Sequence, residues 1–168
     1  MRRTATLLAA ALTLCWTTAC EPPPPPASFT VNVAPGVTGG DATPGDGVCE
    51  TAPGNGVCTL DAAVQEGNTL GRADIHVPPA TAYDAMYRLS ETTITGSLNL
   101  FSSWTPSRTV QVVAPQLHVA AGGHLALEQA GIAIEGTAVV DGVLSLHRSF
   151  VYGWIDISAT GVMSMVNS

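Results

Sequence analysis

Toward the C-terminus, a glycine followed by two aliphatic residues spaced two apart returns at a fixed interval. Gly123-His124-Leu125-Ala126-Leu127 recurs as Gly142-Val143-Leu144-Ser145-Leu146 and again as Gly161-Val162-Met163-Ser164-Met165. The interval is nineteen residues, and no gap is needed to align the copies. Residues two apart in a strand face the same side. Leu125 and Leu127 therefore share a face, and Leu127, Leu146 and Met165 fall in one vertical stack. A second strand in each unit carries Ile132 and Ile134, answered by Val151 and Gly153. A third short segment carries Leu117 and Val119, answered by Gly136 and Ala138, then by Ile155 and Ile157. Each unit thus offers about three short strands separated by small or polar turn residues.

Helical periodicity is absent from these units, and no segment has room for a crossover helix. Parallel strands without crossovers require a chain that coils on itself, each turn rising by the inter-strand spacing of ~4.8 Å. The pattern predicts an all-β solenoid, a parallel β-helix with about nineteen residues per turn over 71–168. The coil extends upstream through Thr93-Ile94-Thr95-Gly96-Ser97-Leu98-Asn99-Leu100, which has the same glycine-led alternation. Gly96 precedes Gly123 by twenty-seven residues, one period plus an eight-residue insertion. Residues 101–108 fill that insertion and read as a protruding loop. Trp104 and Arg108 are its candidate ligand contacts, since solenoids usually carry recognition on such loops. The alternative is that Trp104 folds back over the coil.

The first nineteen residues read as an export signal. Arg2 and Arg3 precede a short apolar stretch from Leu7 to Trp16, and small residues then lead to Cys20. This resembles a bacterial lipoprotein signal, which implies lipidation of Cys20 and a membrane anchor; Thr17 departs from the leucine usual at its position. An ordinary secretory signal is the alternative. The stretch is too short for a transmembrane helix. Residues 20–28 are a tether, and Pro22 to Pro26 form a polyproline II spacer of about 15 Å. From Cys20 onward four arginines face thirteen acidic side chains, a formal charge of −9, and the chain has no lysine. This balance disfavours nucleic acid and anionic surfaces as partners.

A cap over 29–70 is expected between the tether and the coil. Phe29 to Val33 reads as a strand. Leu60, Ala63 and Val64 fall at helical spacing, with Gly67 as the stop. A strand and a short amphipathic helix suit the exposed end of a solenoid. Cys49 and Cys58, in an exported chain, read as a disulfide; free thiols and a metal pair are the alternatives. Asp41, Asp46 and Glu50 in the same loop are weak calcium candidates, since their spacing does not match an EF-hand. The alternative is a solvated acidic turn with Asx-type hydrogen bonds.

Residues 29–68 resemble the CSLREA-type N-terminal domain found ahead of right-handed parallel β-helices in bacterial surface and secreted proteins. Asp41-Ala42-Thr43-Pro44-Gly45-Asp46-Gly47-Val48-Cys49 matches its proline-glycine-aspartate-glycine-x-cysteine loop. Cys58, Leu60 and Ala63 match its namesake motif, with Thr59 in place of serine, whereas Asp61 and Ala62 replace the usual Arg-Glu. Gln65-Glu66 and Asn68 match the end of its helix, and Asp74-Ile75-His76-Val77-Pro78 its next strand. The resemblance implies a pectin-lyase-like coil without implying lyase chemistry.

Lyases on such a coil need clustered carboxylates and a basic residue. The candidate acids are Asp74, Asp84, Glu91, Glu128, Glu135, Asp141 and Asp156, and the candidate bases Arg88, Arg108 and Arg148. A shift of nineteen sends Glu128 to His147, Glu135 to Trp154 and Asp141 to Thr160, so no two acids stack. The expected function is a non-catalytic, adhesin-like surface lipoprotein that uses no cofactor and binds a glycan or a surface protein. A carbohydrate-active enzyme, or a remnant of one, is the alternative. The last turn stops after Met165 without a polar cap, so self-association through 155–168 is expected.

Overall fold

The computed structural model describes residues 24–78, 86–90, 92–102 and 111–166. Chain order among them is β1 (Ala27–Thr30), α1 (Leu60–Leu70), β2 (Arg72–Val77), β3 (Met86–Arg88), β4 (Thr92–Ile94), β5 (Ser97–Ser102) and β6 (Gln111–Ala114). Then follow β7 (Leu117–Val119), β8 (His124–Glu128), β9 (Gly131–Val140), β10 (Val143–His147), β11 (Phe150–Ile157) and β12 (Val162–Val166). Every strand pair is parallel. The chain is a parallel β-helix of about four turns.

One face of the coil is the sheet β1-β2-β5-β8-β10-β12. Its inward positions form two ladders. Phe29, Ile75, Leu100, Leu127, Leu146 and Met165 pair in succession, as do Ala27, Ala73, Leu98, Leu125, Leu144 and Met163. Ile75, Leu98, Leu100, Leu125, Leu127, Leu144 and Leu146 are all fully buried. Each contributes roughly 1.5–3 kcal/mol by leaving water. The nineteen-residue offset holds between β8, β10 and β12, and β5 precedes β8 by twenty-seven, as the glycines predict. The offset from β2 to β5 is twenty-five.

The second and third segments of a turn are separate strands in the early turns and merge later. β9 pairs β6 through Gly131–Ile134 and β7 through Ala138–Val140, turning the corner between them as one ten-residue strand. Its register on β7 differs from the repeat arithmetic. Leu117 lies opposite Ala138 and Val119 opposite Val140, an offset of twenty-one. Ile155 then lies opposite Ala138, an offset of seventeen. The reason is the corner. Ile134, Glu135 and Gly136 take it in β9, whereas Gly153 alone takes it in β11, where the register shifts between Tyr152 and Trp154. Glu135 therefore does not stack on Trp154, which faces Thr137 instead.

The other corner is pinned by a buried serine. Ser149 Oγ lies 2.9 Å from the carbonyls of both Leu127 and His147 and accepts from Ala130 N. Gln129 and Arg148, one turn apart, both take left-handed backbone there.

At the N-terminal end β1 begins at Ala27, two residues before the expected strand, and bonding to the coil continues through Val31 N to His76 O. Thr59 caps α1, its side chain accepting from Ala62 N. The helix does not stop at Gly67 but runs to Leu70 and ends on Gly71, whose φ of 79° is left-handed. Gly67 serves close approach instead. A Cβ there would lie 2.8 Å from both Ala73 Cβ and Leu98 Cδ2. Leu60, Ala63, Val64 and Gly67 thus form one buried stripe laid over the end of the coil.

At the opposite end the last turn exposes Tyr152, Trp154, Ile157, Val162, Met165 and Val166. Among the described residues, β12 pairs only β10, and β11 only β9.

Candidate functional site

The cap loop is held by covalent and polar contacts to α1. Cys49 and Cys58 form a disulfide. Gln65 Oε1 accepts from Asp41 N at 2.8 Å. Glu66 is completely buried, and its carboxylate accepts from Gly45 N and, at 2.5 Å, from Gly47 N. Asn68 reaches the coil, donating to Thr93 O and accepting from Thr95 N and Gly96 N. Asp61, standing where the resemblance has arginine, is buried and accepts from both the amide and the hydroxyl of Ser90. The polar face of this short helix therefore fastens the loop on one side and the coil on the other.

The expected acidic trio is not the one that forms. Asp41, Asp46 and Glu66 each bring a carboxylate oxygen within 4.8 Å of the other two. Glu50 is outside this group, and its Oε1 accepts from Gly54 N. Asp41 Oδ1 accepts from Glu50 N, while its Oδ2 is buried without a hydrogen-bond partner. Asp41, Asp46 and Glu66 are thus the residues whose oxygens could meet a cation.

On the outer face of the first sheet the middle ladder runs Ser28, Asp74, Asn99, Ala126, Ser145, Ser164. Asn99 Nδ2 donates to Asp74 Oδ1 at 2.8 Å, and Ser164 Oγ lies 3.3 Å from Ser145 Oγ. The neighbouring ladder stacks His76 on Phe101, with ring centroids 5.4 Å apart, and brings His147 Nδ1 to 3.6 Å from Glu128 Oε1. Glu128 and His147 therefore meet one turn apart, as the repeat predicts. Thr160 likewise reaches Asp141, donating to its carbonyl at 3.3 Å. The Asp141 carboxylate lies 2.8 Å from His118 Nε2. That hydrogen bond, helped by Ser158, holds the Asp141 carboxyl below the usual carboxylate range. Cys20, Asp84, Glu91, Trp104 and Arg108 lie outside the described residues.

The shortened corner of β11 creates a feature that the alternation does not announce. An open groove of ≈ 720 Å³ runs over the outer face of β3, β6, β9 and β11. Met86, Val113 and Ala133 lie along it, and Tyr152, Trp154 and Glu135 flank the corner. Tyr152 is 77% exposed and Trp154 82%. The signal in the sequence is modest: Phe150 and Tyr152 are aromatic at positions whose parity points outward.

Comparison with family models, curated proteins and solved structures finds no match to this chain.

Proposed function

We propose that the chain is a non-catalytic, adhesin-like structural or binding module of the bacterial cell surface. Lipid on Cys20 holds it to a membrane, and the Pro22–Pro26 spacer keeps the coil clear of that surface. The cap belongs, on this reading, with CSLREA-type domains and the coil with pectin-lyase-like solenoids. The observation that carries the proposal is the outer ladder of the first sheet. Its six rungs begin at Ser28 and hold one carboxylate, Asp74, already bonded to Asn99, followed by Ala126, Ser145 and Ser164. Lyase or glycosidase chemistry draws on several converging ionisable groups; this ladder supplies amide, methyl and hydroxyl groups instead, and the outward ladder beside it adds a single acid, Glu128, next to His147. Self-association through residues 155–168 is part of the same proposal.

The test uses the full-length chain expressed with its leader. It should fractionate with membranes, and Cys20→Ala should release it. Equal retention of that variant would remove the lipid anchor. Incubation with polygalacturonate, with and without calcium, should leave the polymer intact. The appearance of unsaturated products or new reducing ends would overturn the non-catalytic reading.

A further inference from the structure

We propose that the groove outside β9 and β11 binds neutral glycan chains, with Tyr152 and Trp154 as stacking platforms and Glu135 as an acceptor for sugar hydroxyls. The inference rests on the reading of the chain as a binding module and names its ligand class.

Three observations converge on this ligand. The first is the shape of the site. Met86, Val113, Ala133 and Tyr152 belong to four strands that are neighbours in one sheet. The groove therefore crosses three inter-strand spacings, about 14 Å along the coil axis. Small apolar ligands favour enclosed pockets, whereas an open trough of this length suits a chain laid in from the side.

The second is the chemistry of the walls. Tyr152 and Trp154 expose most of their surface to water. Tyr and Trp rings pair an apolar face with a polar edge. A pyranose ring has the matching character, with an apolar C–H face and a rim of hydroxyls. Gly153 lies between the two aromatic residues with a φ of 134°, and a Cβ there would come within 2.5 Å of Ile134 O. The shortened corner is thereby fixed, and with it the placement of the residues on either side.

The third is charge. Glu135 is the one charged residue among those lining the trough, with the exposed Arg88 on β3 bordering it opposite Val113, and the chain carries a formal charge of −7 without a single lysine. A carboxylate accepts hydroxyl hydrogens well but repels uronates, sulfates and phosphates. The ligand that fits is therefore a neutral polysaccharide rather than an acidic one.

The full-length chain is to be titrated with laminarin (a neutral β-glucan), hydroxyethyl cellulose and dextran, with polygalacturonate as the acidic comparison. Affinity-gel retardation and tryptophan emission provide the readouts. At least one neutral glycan should retard the chain, and polygalacturonate should not. Tyr152→Ala and Trp154→Ala should each weaken the interaction roughly tenfold or more. Because both side chains are exposed, the variants should melt with the parent. Three results would each overturn the assignment. No neutral glycan binds, or binding survives both substitutions unchanged, or the substitutions alter sedimentation instead of glycan binding because a second copy fills the groove. Failure of the groove is distinguishable from failure of the module reading. Cleavage of a glycan overturns the latter, while the two substitutions test the former alone.

Discussion

Substituting Gly67 by alanine offers a test in which the sign of the effect decides. In an ordinary helix interior, Gly→Ala stabilises by about 1 kcal/mol, because alanine restricts the unfolded backbone. Gly67 sits inside α1, three residues before its last residue, so intrinsic propensity alone gives a gain. The docking of α1 on the coil gives a loss. The new methyl would stand 2.8 Å from Ala73 Cβ and 2.8 Å from Leu98 Cδ2. Ala73 and Leu98 are both completely buried, and the Cβ of Ala73 cannot move without its strand. Overpacking of a filled core costs about 1–3 kcal/mol. The net expectation runs from neutral to about 2 kcal/mol of destabilisation. A net loss of 1 kcal/mol corresponds to a drop of about 2–4 °C in melting temperature for a chain of this size.

The assay is thermal and urea unfolding of the parent, Gly67→Ala and a control on the exposed face, Thr69→Ala. The control should gain a few tenths of a kcal/mol from propensity. A Leu98→Val partner variant removes the Cδ2 contact. The two substitutions should therefore couple favourably, by at least about 0.5 kcal/mol in a double-mutant cycle. A Gly67→Ala chain that melts several degrees higher, with no coupling to Leu98, would refute the docking of the helix on the end of the coil.

Three further outcomes follow from the packing and the polar contacts. Leu127→Ala empties the middle of the inward ladder and should cost about 3–5 kcal/mol, whereas Met165→Ala, 63% exposed at the top of the same ladder, should cost well under about 1 kcal/mol by urea titration; a large, concentration-dependent loss at Met165 would show that a second copy covers it. Reduction of the Cys49–Cys58 bridge releases a loop of ten residues and should lower stability by about 2.5 kcal/mol, read from melts with and without reductant; an unchanged melt would show that α1 holds the loop without it. The lowered Asp141 carboxyl contributes stability that is present above its unfolded value near 3.9 and is lost as pH falls through its lower folded value; Asp141→Asn should flatten the acid limb of a pH-melting profile below about pH 4, and an unaltered limb would assign that sensitivity elsewhere.

The faces of this coil were easier to read than its corners, and the reason is the two-residue period of a strand. A slip of one residue turns every apolar side chain outward, so Leu125, Leu127, Leu144 and Leu146 announce their orientation without ambiguity. A slip of two leaves the alternation intact. The error in setting Leu117 opposite Gly136 rather than Ala138 was of this kind: both registers keep the aliphatic residues inside. Only the lengths of the corners distinguish them, Pro115-Gln116 between β6 and β7 against Glu135-Gly136-Thr137 in β9, and no alternation records a corner's length. In the cap the strand and short helix form as expected, and the helix's end differs in a way its own residues indicate. Gly67 follows Leu60, Ala63 and Val64 at the spacing of a single helical face, which marks it as a contact position before a stop. Glu66 beside it is an acid with no apolar pattern to betray its burial, and its partners, the Gly45 and Gly47 amides, come from a turn about twenty residues earlier. The aromatic groove belongs to the same class as the register slip. Tyr152 and Trp154 flank Gly153 on β11, and Glu135 joins them from β9 because one turn cuts a corner that the turn before it takes at full length. In a solenoid, then, a strict repeat specifies the scaffold, and the places where successive turns differ in length are where a recognition surface can arise.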